Sequence, residues 1–200
     1  MNSALVDRPL RSDLQLIFDW IAPHSSVLDL GCADGALLAA LIQSKNCQGY
    51  GLEIDTERVL AAMQRGINVI QADLEAGLQH FNNDSFDVIV LSQTIQSMQN
   101  TEHILREMKR VAREAIVTFP NFGYWRNRLQ ICFGGHMPVS ERMPYQWYNT
   151  PNIHWCTLKD FEKLCADNHI MINERAVMSG NRRITVWPNL LGSLAFYRIG

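Results

Sequence analysis

The stretch Val27-Leu28-Asp29-Leu30-Gly31-Cys32-Ala33-Asp34-Gly35-Ala36-Leu37-Leu38 limits the fold of this chain more than any other. Its first four residues, three aliphatics around one acid, read as a short buried strand entered from the turn cluster Pro23-His24-Ser25-Ser26. Gly31 to Gly35 is a tight loop, and Ala36 opens a run of good helix formers. Strand, glycine loop and helix in that order make the ligand-binding crossover of a doubly wound α/β sheet, with the ligand outside the carboxyl end of the strand. The dinucleotide fingerprint spaces its glycines two and three apart, whereas Gly31 and Gly35 stand four apart with Ala33 between them. A pyrophosphate needs free backbone N–H groups at a helix N-terminus; Asp29 and Asp34 make this loop poorly suited to one. The loop suits a ligand with an ammonium group for Asp29 and a carboxylate for loop N–H groups.

S-adenosylmethionine carries both groups, and its sulfonium adds positive charge. Leu28-Asp29-Leu30-Gly31-Cys32-Ala33-Asp34-Gly35 resembles motif I of the class I S-adenosylmethionine-dependent methyltransferase fold. The competing reading is a plain strand-turn-helix whose glycines serve geometry alone. Ala33 departs from the pattern: many members carry glycine there, and an extra methyl at close backbone approach is expected to weaken cofactor binding without abolishing it. The resemblance implies that Asp29, Leu30, Gly31, Cys32 and Gly35 belong to the cofactor site.

With 200 residues and 47% apolar content, the chain suits one α/β domain over 1–200. Eighteen basic against twenty acidic side chains leave it near neutral. That composition provides no general basic field for nucleic acid or for an anionic membrane surface. Charges at Asp7, Arg8, Arg11 and Asp13 interrupt the N-terminus, so neither a signal peptide nor a membrane span is expected. The five cysteines are scattered and odd in number, with no C-x-x-C pair. They fit reduced thiols in a cytoplasm rather than a disulfide framework or a zinc site.

Ser12 and Asp13 are N-cap candidates before Leu14, Ile17, Phe18 and Ile21, a helical stripe expected to pack at the sheet edge. Residues 49–55 read as the second strand, closing in acids about twenty residues past the glycine loop, where an acid accepts both ribose hydroxyls of an adenosine ligand. In methyltransferases of this class that acid matches Glu53, with Ile54 beside it; Asp55 is a candidate cap for a helix over 56–65 whose inward face is Val59, Leu60 and Met63. Residues 69–74 make the third strand and its exit. Asp73 matches the family's adenine-binding acid, with Leu74 donating through its backbone; a helix-capping or turn aspartate is the alternative. Residues 86–91 form a nearly all-apolar strand of a sheet covered on both faces. It exits through Ser92-Gln93-Thr94-Ile95-Gln96, at the mouth where a methyl acceptor would sit. Amino-group methyltransferases often carry an Asn/Asp-Pro-Pro-Tyr/Phe tetrapeptide there; this chain does not, and it offers no general base at that exit. A helix over 101–111 with inward Ile104, Leu105 and Met108 ends in Lys109, Arg110 and Arg113, a solvated terminus suited to the dipole. A fifth strand over 114–119 is closed by Pro120. The alternation requires a mainly parallel, doubly wound Rossmann-like sheet with helices on both faces and right-handed crossovers. Residues 171–178, then 184–186 or 194–198, supply the last strands, one of them antiparallel beside the fifth.

Residues 120–156 form an aromatic and proline-rich insert ahead of the Thr157-Leu158-Lys159-Asp160 capping box. Loops this long are functional or disordered, and this one is too aromatic for disorder. An ordered cap over the carboxyl ends of the strands is expected. Its Tyr, Trp and Arg are the types enriched in protein–protein hot spots. Phe119-Pro120-Asn121-Phe122-Gly123-Tyr124-Trp125-Arg126, Met137-Pro138, Pro144-Tyr145-x-Trp147-Tyr148-x-Thr150-Pro151-Asn152-Ile153-His154 and Ser92-Gln93-Thr94-x-Gln96 resemble the methionine-biosynthesis protein MetW family, from about Ser12 to Asp167. That resemblance implies a companion that associates with MetX, the homoserine O-acyltransferase, and supports its activity.

The cofactor residues are then Asp29, Leu30, Gly31, Cys32, Gly35, Glu53, Ile54, Asp73, Leu74, Ser92 and Gln93, holding S-adenosylmethionine or S-adenosylhomocysteine. Substrate or partner candidates are Asn121, Phe122, Trp125, Arg126, Tyr145, Trp147, Tyr148, Asn152 and His154. Several residues of this segment have a plainer role: His154 as a buried, satisfied histidine, Tyr145, Trp147 and Tyr148 as packing under the lid, Arg126 and Arg128 as solvated helix residues. No catalytic residue, no metal set and no Gly-x-Ser-x-Gly elbow is found, so an acyltransferase site is not in this sequence. Two readings stand: a cofactor-binding partner subunit, or an active methyltransferase on a small molecule or partner protein, since methyl transfer needs mainly in-line positioning. A nucleic-acid methyltransferase lacks both the basic field and the tetrapeptide.

Overall fold

The computed structural model describes residues 10–200, so Asp7 and Arg8 lie outside the described residues. These residues fall into two compact units. One runs up to Leu91 and adds Glu107–Ala115; the other comprises Ser92–Arg106 and Ile116–Gly200.

The first unit is built on β1 (Ser26–Leu30), which pairs in parallel with β2 (Gln48–Glu53) on one side and β4 (Phe86–Ser92) on the other. Beyond β2 lies the short parallel strand β3 (Val69–Gln71). Val27, Leu28 and Leu30 are fully buried, as are Ile89, Val90 and Leu91, which is why these strands are apolar on both faces. Helix α1 (Ser12–Trp20) buries Ile17 and, just past its end, Ile21. It packs against α2 (Ala36–Lys45), and Lys45 Nζ donates to Phe18 O and Ile21 O, both at 2.6 Å. Neither expected N-cap acts as one: Arg11 holds the cap position without a side-chain bond, and buried Asp13 accepts from Arg11 at 3.1 Å.

Helix α3 (Thr56–Gln64) begins as expected, with Asp55 Oδ1 accepting from Glu57 N–H and Arg58 N–H. Its inward face differs from the sequence expectation. Val59 and Ala62 are buried, whereas Leu60 and Met63 are exposed, because the small Ala62 is what fits against the glycine loop: a Cβ on Gly35 would lie 3.2 Å from Ala62 Cβ. The third strand is shorter than 69–74. It ends at Gln71, and Asp73 caps α4 (Leu74–Gly77). In α5 (Thr101–Val111), Ile104, Leu105 and Met108 are buried as expected. Its basic end is not merely solvated: Arg110 donates to Leu78 O and Phe81 O and pairs with Glu107, and Arg113 pairs with Asp87.

The second unit carries the end of β5 (Ala112–Pro120), then α6 (Trp125–Gly134), an irregular segment, α7 (Leu158–Asp167), β6 (Ile172–Ser179), β7 (Arg182–Arg183), α8 (Pro188–Leu191) and β8 (Leu194–Ile199). Strand β8 lies between β5 and β6 and runs antiparallel to β6. The sheet is therefore mostly parallel with an antiparallel C-terminal strand. Thr157 and Asp160 close the expected capping box of α7. The core is a ring cluster: Phe161 lies 5.0 Å from Phe119 and 4.6 Å from Tyr197, and Tyr197 stacks on Phe119 at 5.8 Å. Tyr197 keeps its hydroxyl satisfied by donating to Glu162 Oε1 at 2.9 Å.

Candidate functional site

In the first unit the glycine loop folds back over the end of β2. Gly31 N–H and Cys32 N–H both donate to Leu52 O, at 2.8 and 3.0 Å. Three loop residues are left-handed: Gly31 and Gly35 at φ 72°, and Ala33 at φ 50°. The glycine that the motif resemblance leads one to expect at Ala33 would have a conformational reason, since a Cβ in this region is strained. Ala33 N–H donates to Glu53 Oε2, 3.0 Å away. The other oxygen of Glu53 accepts from Ile54 N–H and Asp55 N–H at 3.0 and 3.1 Å. One buried carboxylate therefore fastens the loop to the end of β2.

Asp29, in β1 opposite Gly51 of β2, is 4% exposed, as is Glu53. Among the described residues no hydrogen bond reaches the Asp29 side chain. Burial, followed by the nearby charge of Glu53, pushes its carboxyl up to about 7. The same causes act on Cys32: burial, then Asp29 and Glu53, push its thiol up to about 12, so it is a packed thiol and not a nucleophile. Gly51 makes room for it, since a Cβ there would meet Cys32 Sγ at 2.3 Å. This corner holds two neighbouring buried carboxyls, one bound by backbone N–H groups and one unpaired, an arrangement suited to a cationic or hydroxyl-bearing ligand.

The loop N–H groups are less available than the sequence suggests. Those of Gly31, Cys32, Ala33, Gly35 and Ala36 all donate within the fold. A ligand carboxylate cannot rely on them. Leu30 is buried in β1, Ile54 turns its side chain to solvent, and Leu74 is buried at the start of α4. Asp73 Oδ1 accepts from Glu75 N–H at 3.0 Å, the capping geometry offered as its alternative role.

In the second unit, Gln93 N–H donates to Thr118 O and Thr118 Oγ1, at 2.9 and 3.0 Å, and Ser92 Oγ lies 3.3 Å from that hydroxyl. The backbone of Gln93 is left-handed, φ 53°. Gln96 O receives both Ile153 N–H and His154 N–H, so the end of the insert is tied to the exit of β4. Asn152 joins there as well, its Oδ1 3.4 Å from Ser97 Oγ. A cavity of about 370 Å³ opens beside this junction, lined by Ile95, Gln96, Gln99, Asn100, His154 and Cys156 among others. Gln96 Oε1, buried in its wall, has no hydrogen-bond partner among the described residues. No periodicity or spacing marks Gln99, Asn100 or Cys156 in the sequence; the pocket exists only through the tertiary junction.

The remaining candidates separate by exposure. Asn121 is buried, its Nδ2 donating to Asn189 O and Gly192 O, a bracket between chain segments. Phe122 packs on Trp155 at 5.4 Å. His154 is exposed rather than buried, its Nε2 3.4 Å from Gln99 O. Trp147 and Tyr148, 72% and 70% exposed, meet each other edge to face at 5.8 Å and do not pack beneath a lid. Tyr145 is exposed, and the Arg126 guanidinium stacks over Trp125, 5.4 Å from its ring. Arg128 is not simply solvated: Nε donates to Gly123 O at 2.6 Å. Helix α6 buries only Asn127, and its Trp125, Leu129 and Phe133 (the last 84% exposed) form an apolar stripe facing out. Among the described residues all five cysteines are free, no three potential ligands cluster as a metal site, and no helix is long and apolar enough to cross a membrane.

Comparison with known proteins places this geometry. The family described as methionine biosynthesis protein MetW matches residues 11–199. A relative from Rhodopirellula baltica, the bifunctional methionine biosynthesis protein MetXA/MetW, is 38% identical over 177 residues. The match takes in 84% of this chain but only 28% of the relative's length. A methyltransferase of Mesorhizobium loti dependent on S-adenosylmethionine superposes with a TM-score of 0.70 at 14% identity, over 97% of this chain and 99% of that one. One of Thermotoga maritima gives 0.68 at 17%, over 94% and 86%. At these identities the likeness shows the fold, a Rossmann-like class I methyltransferase fold. The cyclase SpnF shares it too, with a TM-score of 0.66 at 15% identity over 93% and 79% of the two chains. Fold alone does not assign a reaction.

Proposed function

The chain belongs to the methionine biosynthesis protein MetW family, and from that premise we propose that it binds S-adenosylmethionine or S-adenosylhomocysteine and acts as the partner and activating subunit of the homoserine O-acyltransferase MetX. The observation that carries the partner reading is the Rhodopirellula relative, in which MetXA and MetW are one chain. Fusion supports a working association between the two parts. The surfaces offered to that partner are the outward apolar stripe of α6 and the exposed rings of Trp147 and Tyr148, residue types enriched in hot spots.

The cofactor reading rests on Asp29 and Glu53. An unpaired buried carboxyl is costly unless something compensates it, and a ligand ammonium would do so. Glu53, at the end of β2, takes the ribose hydroxyls with its spare lone pairs; Gly31 to Gly35, Ile54, Asp73 and Leu74 shape the adenosyl site. A ligand that favours one state of the partner surface alters partner affinity by the same factor as the partner alters its own. The place of action is the cytoplasm, in keeping with five free thiols. The test is calorimetry of the purified chain with each adenosyl compound, with and without MetX, alongside the acyltransferase rate. An unchanged rate and unchanged sedimentation of MetX would overturn the partner reading.

The cavity of about 370 Å³ beside Gln96 and His154 favours a second reading, an active methyltransferase on a small molecule or partner protein. Incubation with methyl-labelled cofactor and cell extract tests it; label in no fraction would count against it.

A further inference from the structure

We propose that the second unit carries a binding site for a small carboxylic acid that also bears a hydroxyl or amino donor, in the cavity between the first turn of α6 and the Ser140–Met143 turn. Its volume is about 240 Å³, room for a molecule of amino-acid size and below the usual range for larger ligands. Two groups of opposite character in its wall lack partners.

Asn127 is 1% exposed. Its Nδ2 donates to Asn121 O and Phe122 O, both at 3.3 Å, which fixes the amide's orientation and leaves Oδ1 as the free end. That Oδ1 is buried without a hydrogen-bond partner. Buried polar atoms are nearly always satisfied, and an orphan calls for an occupant that donates to it. Arg142 supplies the complement. It is half-buried and, among the described residues, meets neither a carboxylate nor a hydrogen-bond acceptor. Arg126 lines the same cavity with its guanidinium over Trp125 and no ion pair among the described residues. Glu141 is the acid in the wall, so the two arginines leave it net positive. A carboxylate satisfies a guanidinium with two parallel hydrogen bonds. A hydroxyl or amino group on the same small molecule reaches Asn127 Oδ1.

The wall is braced. Val139 N–H donates to Gln130 Oε1 at 3.0 Å while Gln130 Nε2 donates to Val139 O at 3.2 Å, clamping the segment to α6. Ser140 and Met143 exchange both backbone hydrogen bonds at 3.0 Å, and Met143 is buried, so Glu141 and Arg142 sit at the tip of a pinned two-residue turn. On the far side, the Asn121 amide holds Gly192 O at 2.8 Å. Water alone would quiet Asn127 but would leave Arg142 without a counter-charge. None of these lining residues belongs to the glycine-loop corner, so the inference stands apart from the cofactor reading.

Calorimetry of the full chain with glycolate, L-serine, acetate and ethanolamine tests it. Glycolate and L-serine are expected to bind saturably at millimolar concentration or better, with acetate and ethanolamine at least tenfold weaker. Arg142→Met has no internal partner to lose; it is expected to weaken glycolate and L-serine at least tenfold with the ligand-free thermal midpoint and S-adenosylhomocysteine binding unchanged. No saturable binding of glycolate or L-serine, acetate binding as well as glycolate, or an Arg142→Met variant that binds like the parent would each overturn the site. Since S-adenosylhomocysteine is followed in the same samples, a failure here is distinguishable from a failure of the cofactor reading.

Discussion

The backbone N–H of Ala33, a left-handed residue, donates to Glu53 Oε2 at 3.0 Å across twenty residues of sequence. A conformation unfavourable to any residue with a Cβ is thus held in place by a carboxylate that also caps Ile54 N–H and Asp55 N–H. The strain and its restraint sit in the same corner, which makes both open to measurement.

Ala33→Gly removes the left-handed strain, a cost of about 1–2 kcal/mol for an L-residue, against the larger unfolded-state entropy of glycine, about 0.5–1 kcal/mol. A net stabilisation of about 0.5–1 kcal/mol is expected from these opposing terms. Urea denaturation reads it as a higher midpoint with an unchanged slope; an unchanged or lower midpoint would show that Ala33 is not strained.

Glu53→Gln puts an N–H₂ group where one carboxylate oxygen accepted a backbone N–H. A stability loss of about 1–3 kcal/mol is expected for the hydrogen bonds left unmade. S-adenosylhomocysteine affinity should fall at least about tenfold, which corresponds to about 1.4 kcal/mol. Calorimetry showing full affinity would remove Glu53 from the adenosyl site.

Asp29 links this corner to pH. Its folded-state carboxyl stands at about 7, above the ordinary 3.8. The unfolded chain therefore loses this proton at lower pH than the folded one. Stability from this group is fully present below the ordinary value and declines as pH rises toward 7, by up to about 1.4 kcal/mol per pH unit. Asp29→Asn abolishes that decline, so the variant should gain on the parent as pH is raised from 5 to 8. A cationic ligand reverses the preference of Asp29 for its proton. Binding of S-adenosylmethionine below pH 7 should release a proton, seen by calorimetry in buffers of different ionisation enthalpy; buffer-independent heats would argue against contact with Asp29.

Trp147 and Phe161 are both large aromatics in the second unit, yet they should behave oppositely. Phe161→Ala opens the ring cluster with Phe119 and Tyr197 and is expected to cost about 3–5 kcal/mol of stability. Trp147→Ala and Tyr148→Ala alter exposed rings and should leave the thermal midpoint in place. If these rings meet MetX, each truncation should weaken that complex by about 2 kcal/mol or more, measured by sedimentation. Full affinity in both variants would move the docking surface elsewhere.

The doubly wound fold was legible because it rests on local signals. Apolar runs at Val27–Leu30 and Phe86–Leu91, the glycines of the loop and the Thr157–Asp160 box each act through residues close in sequence. Periodicity is weaker where helices are half-covered: in α3 it points Leu60 and Met63 inward, whereas the small Ala62 is the residue that fits against Gly35. Asp73 illustrates the same limit, since one aspartate suits a cap and a ligand equally until its neighbours are fixed.

What the sequence by itself determined was the strand–loop–helix order around the glycine loop and the acid that closes the second strand, because backbone preference and hydrophobic pattern are properties of short stretches. Only the tertiary structure decided that the loop N–H groups are already spent on Leu52 and Glu53, that Asp29 is left without a partner, and that Asn127 and Arg142 face one cavity. Those facts depend on which distant groups arrive first at a donor or acceptor, and burial then makes each unmet group costly.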